Sequence, residues 1–296
     1  MLPREEYIEQ AYFFRTLRER SAQNVSTQDL LISMRDEVLA TTRLPMALDF
    51  LASEIKLHGV LGPAMAKIPH YFAPFQTYIV QATENDKLRF DFPIALAVLE
   101  REATYRSQGA TPTGVFMYQF ETICRNRLGY DRSLDAVAAD PIFDEPWREW
   151  ILEVRRKLGI VDFADMVYYR SEHYRNQRRN EGLDEEGEGP KGPVLFAEKE
   201  GKIALAHRRK DPLFLFSALE RQLGYPTVPR PKPPQREQLN VPALLSRLDR
   251  MEARLRLVEE ESQQGGINLE NFMKRPGVKP VEPIELPPTT GPMEFE

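Results

Sequence analysis

The chain has 296 residues, 42% hydrophobic and 29% charged, with 40 Lys and Arg against 45 Asp and Glu, 24 Pro, 16 Gly and one Cys. That apolar share builds a core and excludes a wholly disordered chain, while a lone cysteine, Cys124, excludes an intrachain disulfide or a cysteine zinc site. A net charge of −5 argues against a dedicated nucleic-acid binder but leaves room for a local basic face.

No apolar run is long enough to span a bilayer, and Arg4, Glu5, Glu6 and Glu9 leave no apolar region of a secretory leader near Met1. The expectation is a cytoplasmic protein with no membrane partner.

Residues 1–179 read as an irregular multi-helix bundle, mainly α. Ile8, Ala11, Tyr12 and Leu17 share a stripe and predict a helix over about 3–19. Ser26 with Asp29 three residues on predicts a capped helix running to about Thr42, broken at Arg43-Leu44-Pro45. Leu48, Leu51, Ile55 and His58 line the next face up to Gly59, and a short turn at Pro63–Ile68 precedes a helix after Tyr71. Asp91-Phe92-Pro93 opens a helix ending near Gly109, and Thr111-Pro112 opens one carrying Phe116, Phe120, Ile123 and Cys124 and closing by Gly129. Asp144 caps a helix with Trp147, Trp150, Ile151 and Val154 that Gly159 closes, and a last helix is expected over Asp162 to Arg178.

Residues 180–193 form an acidic, Gly-rich linker. Val194–Ala197 and Ile203–Ala206 flank Gly201 and predict a hairpin, and Asp211-Pro212 caps a helix with Leu213, Phe216, Leu219 and Leu223. Together 194–225 read as a small ββα extension that must dock on the bundle, because an isolated hairpin is marginal. Residues 226–239 are a Pro-rich spacer, and the Pro-rich tail 265–296 is expected to be disordered.

Between them, 240–264 carries heptads: Val241, Leu248 and Leu255 at a, Leu244, Met251 and Val258 at d. In a parallel pair Arg247 and Arg254 at g would face Glu252 and Glu259 at e of the neighbour. Leu245 at e widens the stripe, which also suits more than two strands or a helix packed on its own domain.

Nucleotide, zinc-peptidase and serine-hydrolase motifs do not occur, so the chain is read first as non-enzymatic and without a cofactor, with an enzyme whose helical pocket leaves no local motif kept as a third class. His58 reads as a core or interface histidine, Cys124 as a small buried hydrophobe, and Asp162, Asp165, Tyr169, Glu172 and His173 as a charged face rather than a metal site. Residues 202–236 have a local balance of +6, and the run 168–179 interleaves Tyr168, Tyr169 and Tyr174 with arginines. Tyr169, Arg170, Arg175, Arg178, Arg179, Arg208, Arg209 and Lys210 are therefore the candidate contacts of the alternative reading, a nucleic-acid-associated regulator. The favoured reading is an interaction or scaffold protein that joins itself or a protein partner through the coiled coil.

Overall fold

Local capping starts many of the helices of this chain, as the computed structural model shows for residues 1–23, 25–85, 88, 90–181 and 192–231. The first seven helices are α1 (Arg4–Ser21), α2 (Thr27–Arg35), α3 (Leu44–His58), α4 (Gly62–Ala66), α5 (Pro74–Thr83), α6 (Phe92–Ser107) and α7 (Pro112–Arg125). Then follow α8 (Tyr130–Ala138), α9 (Glu145–Lys157), α10 (Phe163–Tyr169), α11 (Glu172–Asn180), α12 (Glu198–Ala206) and α13 (Pro212–Leu223). Ser26, Thr111, Asp144, Asp162, Ser171 and Asp211 each accept a backbone N–H of the turn they open. Asp91 precedes α6 without such a bond.

The chain divides after Pro231, and Met1–Pro231 is one compact unit. Within it α1 lies along α6, α2 along α3, α8 along α9 and α10 along α12. Aromatic rings mark two parts of the core. Phe13, Phe14 and Phe72 meet at centroid distances of 5.0 to 6.3 Å. Phe116, Phe120, Trp147, Trp150 and Phe163 form the second part, where Phe120 and Phe163 approach to 4.4 Å.

Three expectations about helices and strands change. No strand forms among the described residues, so the ββα extension is replaced by an extended strap followed by α12. Phe196, 1% exposed, packs edge-on against both Trp147 and Trp150, and the Leu195 and Phe196 N–H groups both donate to the Arg170 carbonyl at 2.8 and 3.1 Å. Gly201 then faces Ser171 inside α12, and Gly201 and Ala204 are buried at a helical spacing rather than a strand's.

The second helix stops at Arg35 instead of Thr42. Glu9 accepts the Leu39 N–H at 3.0 Å and Glu6 accepts the Arg43 N–H at 2.8 Å, which holds the intervening residues in a loop against α1. The helix expected over 162–178 breaks into α10 and α11 at buried Ser171, whose hydroxyl donates to the Tyr168 carbonyl and accepts from the Tyr174 N–H. No helix of the described residues is long and apolar enough to cross a membrane. Residues 240–264, expected to form the coiled coil, and 265–296, the expected tail, lie outside the described residues.

Candidate functional site

The break at Ser171 brings three tyrosines together. The ring of Tyr168 lies 5.4 Å from Tyr169 and 5.2 Å from Tyr174, and Tyr169 lies 5.1 Å from Tyr174. Arg208, from the turn between α12 and α13, covers Tyr168 and Tyr169 at 5.5 and 5.9 Å, and Arg178 covers Tyr174 at 5.9 Å.

The charges of this cluster are matched locally. Arg208 pairs with Asp165, Arg170 pairs with Glu153 at 2.7 Å, and Arg178 donates to the Tyr174 hydroxyl at 3.2 Å. Tyr168 is 5% exposed, and its hydroxyl donates to Gln177 at 2.7 Å. Nucleic acid needs a ring face to stack on and cations to meet phosphate. Here Tyr168 is covered by its neighbours, and Arg170 and Arg208 already hold carboxylates, so the arrangement works first as a joint between α9, α10, α11 and α12. Arg175 and Arg179 are exposed on α11. Arg209 donates its backbone N–H to Asp162, and the Lys210 ammonium donates to the Ala206 carbonyl at 2.7 Å.

His173 approaches Glu198 at 2.9 Å, with Asn176 and Lys202 on the same carboxylate at 3.0 and 3.1 Å. The His173 bond and then the Lys202 bond hold the Glu198 carboxyl down at about 2. Among the described residues no group of three His, Cys, Asp or Glu side chains is placed to hold a metal ion. His58 is exposed rather than buried, its side chain 57% accessible and 3.8 Å from Glu54. Burial pushes the Cys124 thiol up to about 12, the setting of an inert thiol.

The seam residues Val241, Leu244, Leu248, Met251, Leu255 and Val258 and the charge pairs of Arg247, Glu252, Arg254 and Glu259 all fall outside the described residues.

One polar cluster was not anticipated from the sequence. Arg106 on α6, 2% exposed at its side chain, donates to Glu102 at 2.8 Å and also pairs with Asp140, both carboxylates being fully buried. Gln119 on α7 donates to Glu102 at 2.7 Å and to Asp140 at 3.2 Å. The i, i+4 spacing of Glu102 and Arg106 was a visible signal, but nothing local placed Asp140 beside them. Above the cluster opens a cleft of about 810 Å³ whose walls include Tyr7, Arg106, Gln108 and Ile142. Among the described residues its lining holds no His, Cys, Asp or Glu, and the one buried cation among them is engaged by two carboxylates.

Taken together, the described residues define an all-helical domain whose buried charged groups tie helices to one another. No family model, curated protein or solved structure matches the chain.

Proposed function

We propose that the chain is a non-enzymatic interaction protein whose helical domain is joined to itself or to a partner helix through residues 240–264. The observation that carries this reading is the unbroken a/d pattern from Val241 to Val258, with oppositely charged g and e positions beside it. Two features support it. The seam lies beyond the compact unit that ends at Pro231, and such an amphipathic helix is marginal until its apolar face finds a partner. Two ionisable groups that sequence reading offered for chemistry are engaged in structure, Asp165 by Arg208 and His173 by Glu198.

A self-associating seam gives avidity to whatever the helical domain binds. Light-scattering molar mass of the full chain over a concentration series tests the reading, beside a full-length Leu248→Glu, Leu255→Glu variant. An oligomer that becomes a monomer in the variant is expected. A monomer in both, with no helical partner retained on an immobilised 240–264 peptide, overturns it.

A further inference from the structure

Two segments of the chain repeat one pattern, a basic triplet followed by exposed apolar side chains. Arg155-Arg156-Lys157 precedes Ile160, and Arg208-Arg209-Lys210 precedes Leu213 and Phe214. They are distant in sequence, and the fold sets them side by side. The Arg209 N–H donates to Asp162, the residue that caps α10, and Phe163 in the first turn of α10 packs on Phe216 of α13 with ring centroids 6.0 Å apart.

The apolar side chains at this end have no role in the core. Ile160 is 84% exposed, Phe214 62% and Leu213 42%, while Phe163, Leu215 and Phe216 between them are buried. Single exposed apolar residues are ordinary, but these three stand on tips, a tight turn and a helix start, that the backbone fixes. The N–H groups of Ile160 and Val161 both donate to the Lys157 carbonyl at 3.0 Å, in a tight turn that Gly159 enters at φ 86°. Leu213 and Phe214 occupy the first turn of α13, held by the Asp211 cap.

Cations surround the tips. Arg156 and Arg209 are exposed and make no ion pair with the described residues, and the Lys157 side chain is 51% accessible although it reaches Glu153. Of the neighbouring carboxylates, Asp135 pairs with Arg155, Asp165 with Arg208, and Glu153 with Lys157 and Arg170, while Asp162 and Asp211 accept backbone N–H groups.

We propose that this face docks on an anionic lipid bilayer. Ile160, Leu213 and Phe214 enter the boundary between headgroups and acyl chains, and Arg156, Lys157, Arg209 and Lys210 meet the lipid phosphates. Exposed apolar side chains beside exposed cations suit a fluid anionic interface, which takes up both hydrocarbon and charge, whereas a rigid protein surface would need matching pockets. A nucleic-acid backbone would use the cations and leave the tips in water. The sequence expectation of no membrane partner rested on the lack of a span, and surface docking needs none.

Flotation of the full chain with phosphatidylcholine vesicles, with and without phosphatidylserine, is the test. Binding is expected only with phosphatidylserine and weakens as salt rises. Ile160→Asp with Phe214→Asp abolishes it, and Arg156→Gln with Arg209→Gln weakens it about 25-fold, roughly fivefold per charge. The substituted side chains are exposed and outside the seam, so helical content and molar mass stay those of the parent, which separates this outcome from any failure of self-association. Equal binding to neutral vesicles, no binding to either, or binding indifferent to Ile160→Asp with Phe214→Asp overturns the proposal. So does a single-stranded oligonucleotide that binds more tightly than the vesicles and ignores the same substitution.

Discussion

Arg106 faces two buried carboxylates and can neutralise only one of them. Burial pushes the Glu102 carboxyl above its ordinary value, with the attraction of Arg106 opposing and the charge of Asp140 assisting. Burial also works against the charge of Arg106, but Glu102 and Asp140 outweigh it and hold the guanidinium protonated. A folded state that keeps a proton on Glu102 binds it more tightly than the unfolded chain does. The stability so gained is full below the ordinary carboxylate range and is lost as pH rises through the raised folded value. Glu102→Gln is neutral at every pH, so its melting temperature is expected to fall less than the parent's on going from acid to neutral pH. Parallel slopes in thermal melts of the two proteins would show that Glu102 is ionised in the folded state. Arg106→Met leaves buried Asp140 without its cation and is expected to cost about 3–5 kcal/mol by urea unfolding. A cost under about 1 kcal/mol would mean that Gln119 and the Ile142 N–H alone satisfy Asp140.

At the scale of elements, α12 shows why part of this fold could be read and part could not. Helix starts were legible at Ser26, Thr111, Asp144 and Asp211 because the cap and the backbone N–H that donates to it are neighbours in sequence. The state of 194–206 was not, because two apolar runs of four residues around Gly201 satisfy either period. What decides it comes from elsewhere in the chain: the Trp147 and Trp150 rings on which Phe196 packs, and Ser171 beneath Gly201. The early stop of α2 is of the same kind, set by Glu6 and Glu9 of α1. In the candidate site the interleaving of Tyr168, Tyr169 and Tyr174 with arginines was legible, while the packing of Tyr169 on Tyr174 across the break at Ser171 and the pairing of Arg208 with Asp165, 43 residues apart, were not. Gly201→Ala discriminates the two readings of this element. In an open helix the change stabilises by about 1 kcal/mol, but here the new Cβ would stand 2.3 Å from the Ser171 hydroxyl and 2.6 Å from its Cβ. The expected result is a loss of about 1–3 kcal/mol in thermal or urea unfolding. A gain would mean that α12 does not lie against Ser171.

At the scale of the whole molecule, the boundary of the folded unit falls inside the proline-rich segment. Pro226 to Pro231 were expected to leave the domain as a spacer, yet Tyr225 and Val228 are 2% and 3% exposed. Asn126 at the end of α7 donates to the Pro229 carbonyl at 3.1 Å, and Arg101 on α6 donates to the Thr227 carbonyl. An extended proline-rich backbone makes no internal hydrogen bonds, so its carbonyls are available to side chains of the helices it crosses. The Tyr225 hydroxyl donates to Glu121 at 2.8 Å, and burial, then the Glu121 charge, pushes the phenol above its ordinary value. A chain ending at Pro231 is therefore expected to unfold in urea at the same midpoint as the full chain. One ending at Gly224 gives up the burial of Tyr225 and Val228 and is expected to lose at least about 4 kcal/mol. Tyr225→Phe separates the polar part from the apolar part. It keeps the ring beside Tyr118, 6.4 Å away, and removes the donor to Glu121, so a loss of about 1–2 kcal/mol is expected. Equal stability of the chains ending at Gly224 and Pro231 would mean that the segment adds nothing to the domain, and that the free spacer begins at Tyr225.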